Sequence, residues 1–287
     1  MYKRQELNLD KREDLFAATP PVEAKKLLLS LAMTEGYGFD RKGRWPSLKI
    51  DCIDVKRAFF HAKCLREVYV DLPEEDYAPG MCGKLNKAMY GTRDAPQNWE
   101  FEYCDFMESL GFSKGKSTPC LFYHEARNLR VVVYGDDFII LGTAVELDKF
   151  RKQIKQRFEV EFKARLGGEP GDDSSVFLLN RPLSWDADGI TYEADQRHVE
   201  IMVRDLGLGS NPKVTPIPYV KPTLEEVESP GAELIGAEAT MYRAIVARAN
   251  YLSQDRSDIR YAVKELSRSM SKPTESDMLR LKRLGKY

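Results

Sequence analysis

The chain has 287 residues, of which 43% are hydrophobic and 31% charged, a composition typical of folded globular proteins rather than disordered or fibrous ones. No apolar run approaches the roughly 18 residues that a membrane span needs, and the polar N-terminus does not resemble a secretory signal. Net charge is −1, yet residues 241–287 hold eleven Lys and Arg against five Asp and Glu. A basic segment after an acidic body suits a chain with a phosphate-facing region and a carboxylate site, although solvated helix faces would also produce it.

The first half of the chain predicts helices and strands in alternation. One helix begins at the Ala95-Pro96 step and ends before Gly111, because proline suits the first turn and glycine the position after the last. Good helix formers predict another over 24–32. Apolar alternation or continuous apolar runs predict the strands, which are 47–54, 67–72, 120–124, 129–134 and 138–141.

The second half predicts more helix than strand. The strands are expected at 176–185 and 190–192, around a turn at 186–189. Residues 209–236 contain five prolines and read as an irregular connector. Helices are predicted over 146–158, 195–206, 239–253, 255–270 and 274–284. The order of elements predicts an α+β domain followed by a small helical one.

The most distinctive local feature is a pair of adjacent aspartates, Asp136 and Asp137, at the tip of a predicted hairpin whose flanking strands are apolar. A short turn of Gly and Asp between two apolar runs is a strong hairpin signal. Two charges on one rigid turn repel each other, and a bound cation relieves that repulsion. Magnesium accepts one or two carboxylates together with substrate phosphates. Taken alone, the motif is equally compatible with an ordinary polar turn.

A third carboxylate ends the predicted strand before the hairpin. Asp54, at the end of a buried strand, can lie beside the hairpin tip if the two strands are neighbours. Three carboxylates could then hold two metal ions about 4 Å apart, the arrangement used for in-line phosphoryl displacement. Asp51 is the rival candidate. By period-two alternation it points to the opposite face of the strand from Asp54, and the sequence leaves this choice open.

Several motifs in order resemble the polymerase of copia-type retrotransposons. Residues 54–60 (DVKRAFF) with 67–73 (EVYVDLP) resemble the first palm motif, and 84–99 (KLNKAMYGTRDAPQNW) resemble the next one. Residues 134–137 (YGDD) resemble the polymerase signature. The resemblance covers roughly residues 13–287.

The resemblance implies a right-hand polymerase with a ferredoxin-like palm, partial fingers and a helical thumb. It places fingers and palm in 1–208, a connector in 209–236 and the thumb or connection in 237–287, leading toward a ribonuclease H domain that is absent from the chain. Basic residues that could belong to the fingers are Lys3, Arg4, Lys11 and Arg12.

The implied activity is RNA-directed DNA polymerisation with two Mg²⁺ or Mn²⁺ ions held by Asp54, Asp136 and Asp137. The implied partners are an RNA or DNA template-primer, deoxynucleoside triphosphates and other domains of a Pol polyprotein, with no membrane. The expected location is intracellular, either cytoplasmic in virus-like particles or nuclear, and not secreted; five scattered cysteines without a Cys-x-x-Cys pair agree with reduced thiols.

The resemblance also assigns nucleotide-binding roles, which fall on Val55, Phe59, Tyr90, Gly91 and Arg93. A bulky Phe59 would fill the space that a ribose 2′-hydroxyl needs, and Gly91 would let the backbone approach the nascent pair. Core packing for Phe59 and Tyr90, an ordinary turn for Gly91 and a solvated Arg93 are the competing readings.

Two positions depart from the family pattern. In the turn formed with Tyr134, Gly135 replaces a branched residue and eases tight bending. Asp94 replaces the usual Gln and adds a negative charge, unless it caps the helix that follows. Trp99, on that helix, is predicted to be a core residue.

Two further hypotheses remain for the function of the chain: a catalytically silent remnant that retains the fold and nucleic-acid binding, and another palm-based phosphoryl-transfer enzyme.

Overall fold

The computed structural model describes residues 15–35, 37–38, 47–209 and 213–287. Lys3, Arg4, Lys11 and Arg12 lie outside these residues. The chain divides into two compact units. One contains the residues up to Val176 together with Ser184–Ile190, and the other contains Phe177–Leu183 together with Thr191–Tyr287.

The first unit is built on a sheet of six strands in the order β4-β5-β6-β7-β1-β8. All neighbouring strands are antiparallel. The strands are β1 (Lys49–Val55), β4 (Ser113–Lys114), β5 (Leu121–His124), β6 (Leu129–Tyr134), β7 (Asp137–Gly142) and β8 (Val160–Leu166). A separate short pair consists of β2 (Tyr69–Val70) and β3 (Gly83–Lys84).

Helices α1 (Val22–Ala32), α2 (Ala95–Ser109) and α3 (Ala144–Arg157) complete this unit. Read in chain order, β1, α2, β6, β7, α3 and β8 form the β-α-β-β-α-β arrangement of a ferredoxin-like fold. Apolar residues of both longer helices pack with the sheet in one core, whose largest members include Trp99, Met107, Phe138, Ile140 and Phe150. The predicted α+β class is confirmed.

The second unit is mainly helical. Its helices are α4 (Gln196–Asp205), α5 (Leu224–Glu228), α6 (Gly236–Leu252), α7 (Arg260–Arg268) and α8 (Glu275–Gly285). Helices α4, α6, α7 and α8 enclose a core around the fully buried ring of Tyr242, whose hydroxyl donates to the carbonyl oxygen of Leu266 at 2.8 Å. Among the described residues, no helix is both long and apolar enough to cross a membrane.

Three further strands, β9 (Ser175–Leu178), β10 (Arg181–Asp186) and β11 (Gly189–Tyr192), pair in the order β11-β10-β9. The single strand predicted over 176–185 is therefore wrong. Leu179 and Asn180 both have positive φ values, 51° and 61°, and two such residues make the tight turn that joins paired strands.

Other boundaries also differ from expectation. Only Tyr69–Val70 of the strand predicted over 67–72 forms. The helix predicted over 255–270 is divided into a short 3-10 turn, Ser257–Ile259, and α7. The connector predicted over 209–236 contains α5, which Thr223 begins with a reciprocal cap to Glu226. Strand β8 was not predicted at all, although its alternating apolar and polar residues show period two.

Candidate active site

The acidic turn joins β6 to β7 with only two residues outside the ladder, because Tyr134 pairs with Asp137. Gly135 has a φ of 65°, a left-handed conformation that costs glycine nothing. The strand residues behind the turn, from Phe138 to Leu141, are buried. The sequence therefore places the two aspartates on a turn with a rigid apolar base.

Asp54 lies directly beside this turn. Strands β1 and β7 are antiparallel neighbours, and their register makes Asp54 the partner of Asp137. The expectation that a residue far back in the chain would meet the hairpin tip is met for this pair. The backbone N–H of Val55 also donates to the carbonyl oxygen of Asp136 at 2.9 Å, so β1 fixes the turn as well as supplying a carboxylate.

Asp136 occupies the outermost position of the turn and keeps an exposed side chain. Loss of hydration raises the pKa of its carboxyl, and the negative charges of Asp137 and Asp54 raise it further. Like charges near a carboxyl disfavour its ionised form. Among the described residues, however, no three His, Cys, Asp or Glu side chains are close enough together to hold a metal ion.

A lysine from β8 joins two of the carboxylates. The ammonium of Lys163 donates to Asp137 Oδ1 at 2.9 Å and to Asp54 Oδ2 at 3.2 Å. Partial burial would lower the pKa of this ammonium, but its hydrogen bonds to Asp137 and Asp54 outweigh burial and raise the pKa. Sequence reasoning missed Lys163, and the available signal was the alternating pattern of its strand.

The structure separates Asp51 from this group. Asp51 is fully buried, and its two oxygens accept four hydrogen bonds, two from Arg151 and two from Arg165, at 2.6–2.9 Å. A buried carboxylate with two guanidinium partners has no free oxygen for a metal ion. Of the two candidates, Asp54 is the one that lies beside the acidic turn.

Three aromatic rings, those of Phe59, Phe60 and Tyr90, pack against one another. Phe59 and Tyr90 lie with ring centroids 4.5 Å apart, and Phe60 meets the edge of Tyr90 at 5.5 Å. Burial raises the pKa of the Tyr90 hydroxyl, and the negative charge of Asp136 raises it further. Phe59 also packs against the core. Core packing and exclusion of a ribose 2′-hydroxyl, the two roles considered for Phe59, are therefore compatible.

The other residues predicted to bind nucleotide are Gly91, Arg93 and Val55, and they differ in exposure. Gly91, exposed, has a φ of 98°, which favours glycine, and Arg93 is half-buried nearby in sequence. Val55 has a fully buried side chain, and its amide is already bonded to the turn. Val55 therefore positions Asp136 and has no free donor for a nucleotide.

The helix that follows these residues contacts the turn from the other side. The indole N–H of Trp99 donates to the carbonyl oxygen of Gly135 at 2.8 Å, while the ring is buried. The predicted core role of Trp99 is confirmed, but its link to the turn was not predicted. Asp94 occupies the N-cap position without a capping bond; its carboxylate instead pairs with Arg66 at 3.0 Å and accepts from Asn98.

The fold and these strand ends define a ferredoxin-like α+β domain with a carboxylate site. A family described as reverse transcriptase (RNA-dependent DNA polymerase) matches residues 5–217, and the chain belongs to this family. The family predicted from the motifs is thus confirmed.

The chain is also similar to individual proteins. It is 30% identical over 267 residues to the "Retrovirus-related Pol polyprotein from transposon RE1" and 29% identical to that from transposon RE2, both of Arabidopsis thaliana. Each match covers 90% of this chain and 17% of the relative, so the chain spans about a sixth of their length. A foamy viral protease-reverse transcriptase, solved with double-stranded DNA, aligns over 83% of this chain and 34% of its own with 12% identity and a TM-score of 0.42.

Proposed function

We propose that the chain is the nucleotidyl-transfer core of an RNA-directed DNA polymerase, with Asp54, Asp136 and Asp137 as its metal ligands. The single observation that carries the proposal is the pairing of Asp54 with Asp137 across β1 and β7. Their oxygens bind one ammonium at 3.2 and 2.9 Å, so they are no farther apart than the sum of those distances. That separation suits two ions about 4 Å apart.

The paired carboxylates of Asp54 and Asp137 suit magnesium or manganese. Both ions prefer carboxylate oxygens, and the two carboxylates already accept a cationic group, the ammonium of Lys163. When bound, such ions lower the pKa of an attacking hydroxyl and neutralise the charge of a leaving phosphate. The turn would hold its share of the site rigidly, since Trp99 and Val55 bond to its backbone from two sides.

Other residues indicate which nucleotide the core would use. The rings of Phe59 and Tyr90 lie 4.5 Å apart, and the sugar of an incoming nucleotide would pack against this pair. Phe59 would exclude a 2′-hydroxyl, which favours deoxynucleoside triphosphates, and Gly91 would leave room for the nascent base pair. The template-primer would supply the attacking 3′-hydroxyl. The relatives' description as Pol polyproteins supports the further proposal that this core works beside other domains.

Primer extension tests this proposal. The chain is incubated with poly(rA)/oligo(dT), thymidine triphosphate and magnesium or manganese, next to an Asp136→Asn variant. We expect incorporation by the unchanged chain and a loss of at least a hundredfold in the variant, since removing a ligand disrupts charge stabilisation. Equal incorporation by both proteins would contradict the proposal.

A second candidate function is template-primer binding without synthesis. The ion pairs of Lys163 favour it, because an ammonium already binds two of the three carboxylates. Salt-dependent binding of template-primer with no extension under any metal condition would support this candidate over the first.

A further inference from the structure

Lys163 lies at an irregularity in its strand. Along the β1–β8 ladder, Cys52 pairs with Ala164 and Ile53 pairs with Phe162, so Lys163 is the extra residue of a bulge. A bulge changes the direction in which the following side chains point, and bulges are common beside active sites.

The bulge determines which face Lys163 uses. Phe162 lies under the guanidinium of Arg151 on α3 at 5.0 Å, and Arg165 bonds to Asp51, which Arg151 also contacts. Residues 162 and 165 would point to opposite faces of a regular strand. The extra residue lets both face α3, and it leaves Lys163 on the face of Asp54 and Asp137.

The ammonium is held without being enclosed. The side chain of Lys163 is 35% exposed, and those of Asp54 and Asp137 are 23% and 16% exposed. An ion pair with this much solvent contact is weak. The side chain of Lys163 has a flexible four-carbon stem, so its ammonium can leave the carboxylates without moving the backbone.

We propose that Lys163 is a built-in counter-ion that competes with divalent cations for Asp54 and Asp137, so that metal binding displaces its ammonium from the site. The inference rests on the proposed function, since it requires these carboxylates to be metal ligands. Before metal binds, Lys163 offsets the repulsion between the two aspartates. Its displacement raises the metal concentration at which the site fills.

Manganese binding to the full 287-residue chain, measured by electron paramagnetic resonance without nucleotide or template, tests the proposal directly. Lys163→Met removes the competing charge and keeps an apolar stem, and Lys163→Gln is the second variant should methionine perturb folding. Lys155→Met, at an exposed lysine on α3, is the matched control with the same change in net charge.

We expect both Lys163 variants to bind manganese roughly three- to tenfold more tightly than the unchanged chain, which is the range of a weak ion pair. The Lys155 control should bind like the unchanged chain. Adding Asp54→Asn to Lys163→Met should abolish the gain, because one of the contested ligands is then missing.

Competition by Lys163 and the metal site itself are contradicted by different results. Equal or weaker manganese binding by both Lys163 variants, with measurable binding by the unchanged chain, would overturn the competition and leave the proposed function standing. A gain that survives Asp54→Asn would also overturn it. No manganese binding by any variant at millimolar concentration would overturn the metal site itself, and with it both proposals.

Discussion

The indole N–H of Trp99 donates a hydrogen bond of 2.8 Å to the carbonyl oxygen of Gly135, the residue directly before Asp136. Trp99 belongs to α2, and its ring also meets those of Tyr103 and Phe158 edge-on. The helix that fills the core of the first unit therefore also fixes the backbone of the acidic turn. Core packing and the position of the carboxylate are linked through one side chain.

Trp99→Phe tests this link. Phenylalanine keeps an aromatic ring in the core but loses the N–H, so the bond to Gly135 is lost while the bond from Val55 to Asp136 remains. We expect the primer-extension rate to fall about tenfold, since small displacements of a catalytic group are costly. The free energy of unfolding should fall by about 1 kcal/mol, the net contribution of one hydrogen bond.

Tyr103→Phe is the matched control for Trp99→Phe, because it changes a buried aromatic residue of the same helix and the same core. Its extension rate should stay close to that of the unchanged chain. A Trp99→Phe variant with normal rate, or a Tyr103→Phe variant equally impaired, would show that the contact with Gly135 does not position the turn.

Replacement by asparagine should mainly lower stability at Asp51 and mainly abolish primer extension at Asp54. Asp51→Asn leaves two guanidiniums around a buried neutral group, and we expect the free energy of unfolding to fall by about 3 kcal/mol. Asp54→Asn removes a partly exposed charge, and we expect a change below about 1 kcal/mol with loss of extension. Urea denaturation and primer extension measure the two effects. An Asp54→Asn variant that keeps full activity would assign the metal site elsewhere.

Phe59→Val should relax the choice of sugar. A smaller side chain beside Tyr90 opens the space that a 2′-hydroxyl needs, so the ratio of ribonucleotide to deoxynucleotide incorporation should rise roughly tenfold or more. Phe60→Val is the control, since Phe60 belongs to the same short 3-10 turn and is 42% exposed. If both variants discriminate like the unchanged chain, Phe59 is only a packing residue.

Glu146→Gln should change how stability depends on pH. Hydrogen bonds from Lys149 and then Arg127 hold the pKa of Glu146 below its ordinary value of 4.5. A depressed native pKa stabilises the fold above 4.5, and this contribution is lost as the pH falls through the native pKa. The variant should therefore be less stable by about 1 kcal/mol at pH 7.

The difference between Glu146→Gln and the unchanged chain should shrink on acidification below 4.5, as followed by denaturation at several pH values. A difference that stays constant down to pH 3 would mean that the ion pair contributes nothing. Arg127 lies in the loop between β5 and β6, so the measurement also tests whether that loop is fastened to α3.

Local patterns predicted the features of the site that depend on neighbouring residues. The hairpin follows from a Gly-Asp turn between apolar runs, although Asp137 was predicted in the turn and instead begins β7; Asp54 follows from its place at a strand end. The pairing of Asp54 with Asp137 was expected only as one possible arrangement, because strand order is set by contacts between distant segments. The hidden turn at Leu179 and Asn180 was missed, since leucine rarely adopts a positive φ.

The contacts of Lys163 and Trp99 could not be predicted from the sequence. The role of Lys163 depends on the pairing of β8 with β1 and on a bulge at one position, neither of which the local alternation specifies. Trp99 reads as a core residue by its helical spacing, and only the tertiary structure shows where its single polar atom points. In both cases the informative contact joins residues that are far apart in the chain.

The most direct test of the central claim is the position of metal in a crystal. Crystals of the chain grown with manganese, template-primer and a non-hydrolysable deoxynucleotide would be examined by anomalous scattering. The account predicts manganese bound to the carboxylates of Asp54 and Asp137, with the ammonium of Lys163 withdrawn from both. Manganese sites elsewhere, with Lys163 still bonded to these two aspartates, would contradict it.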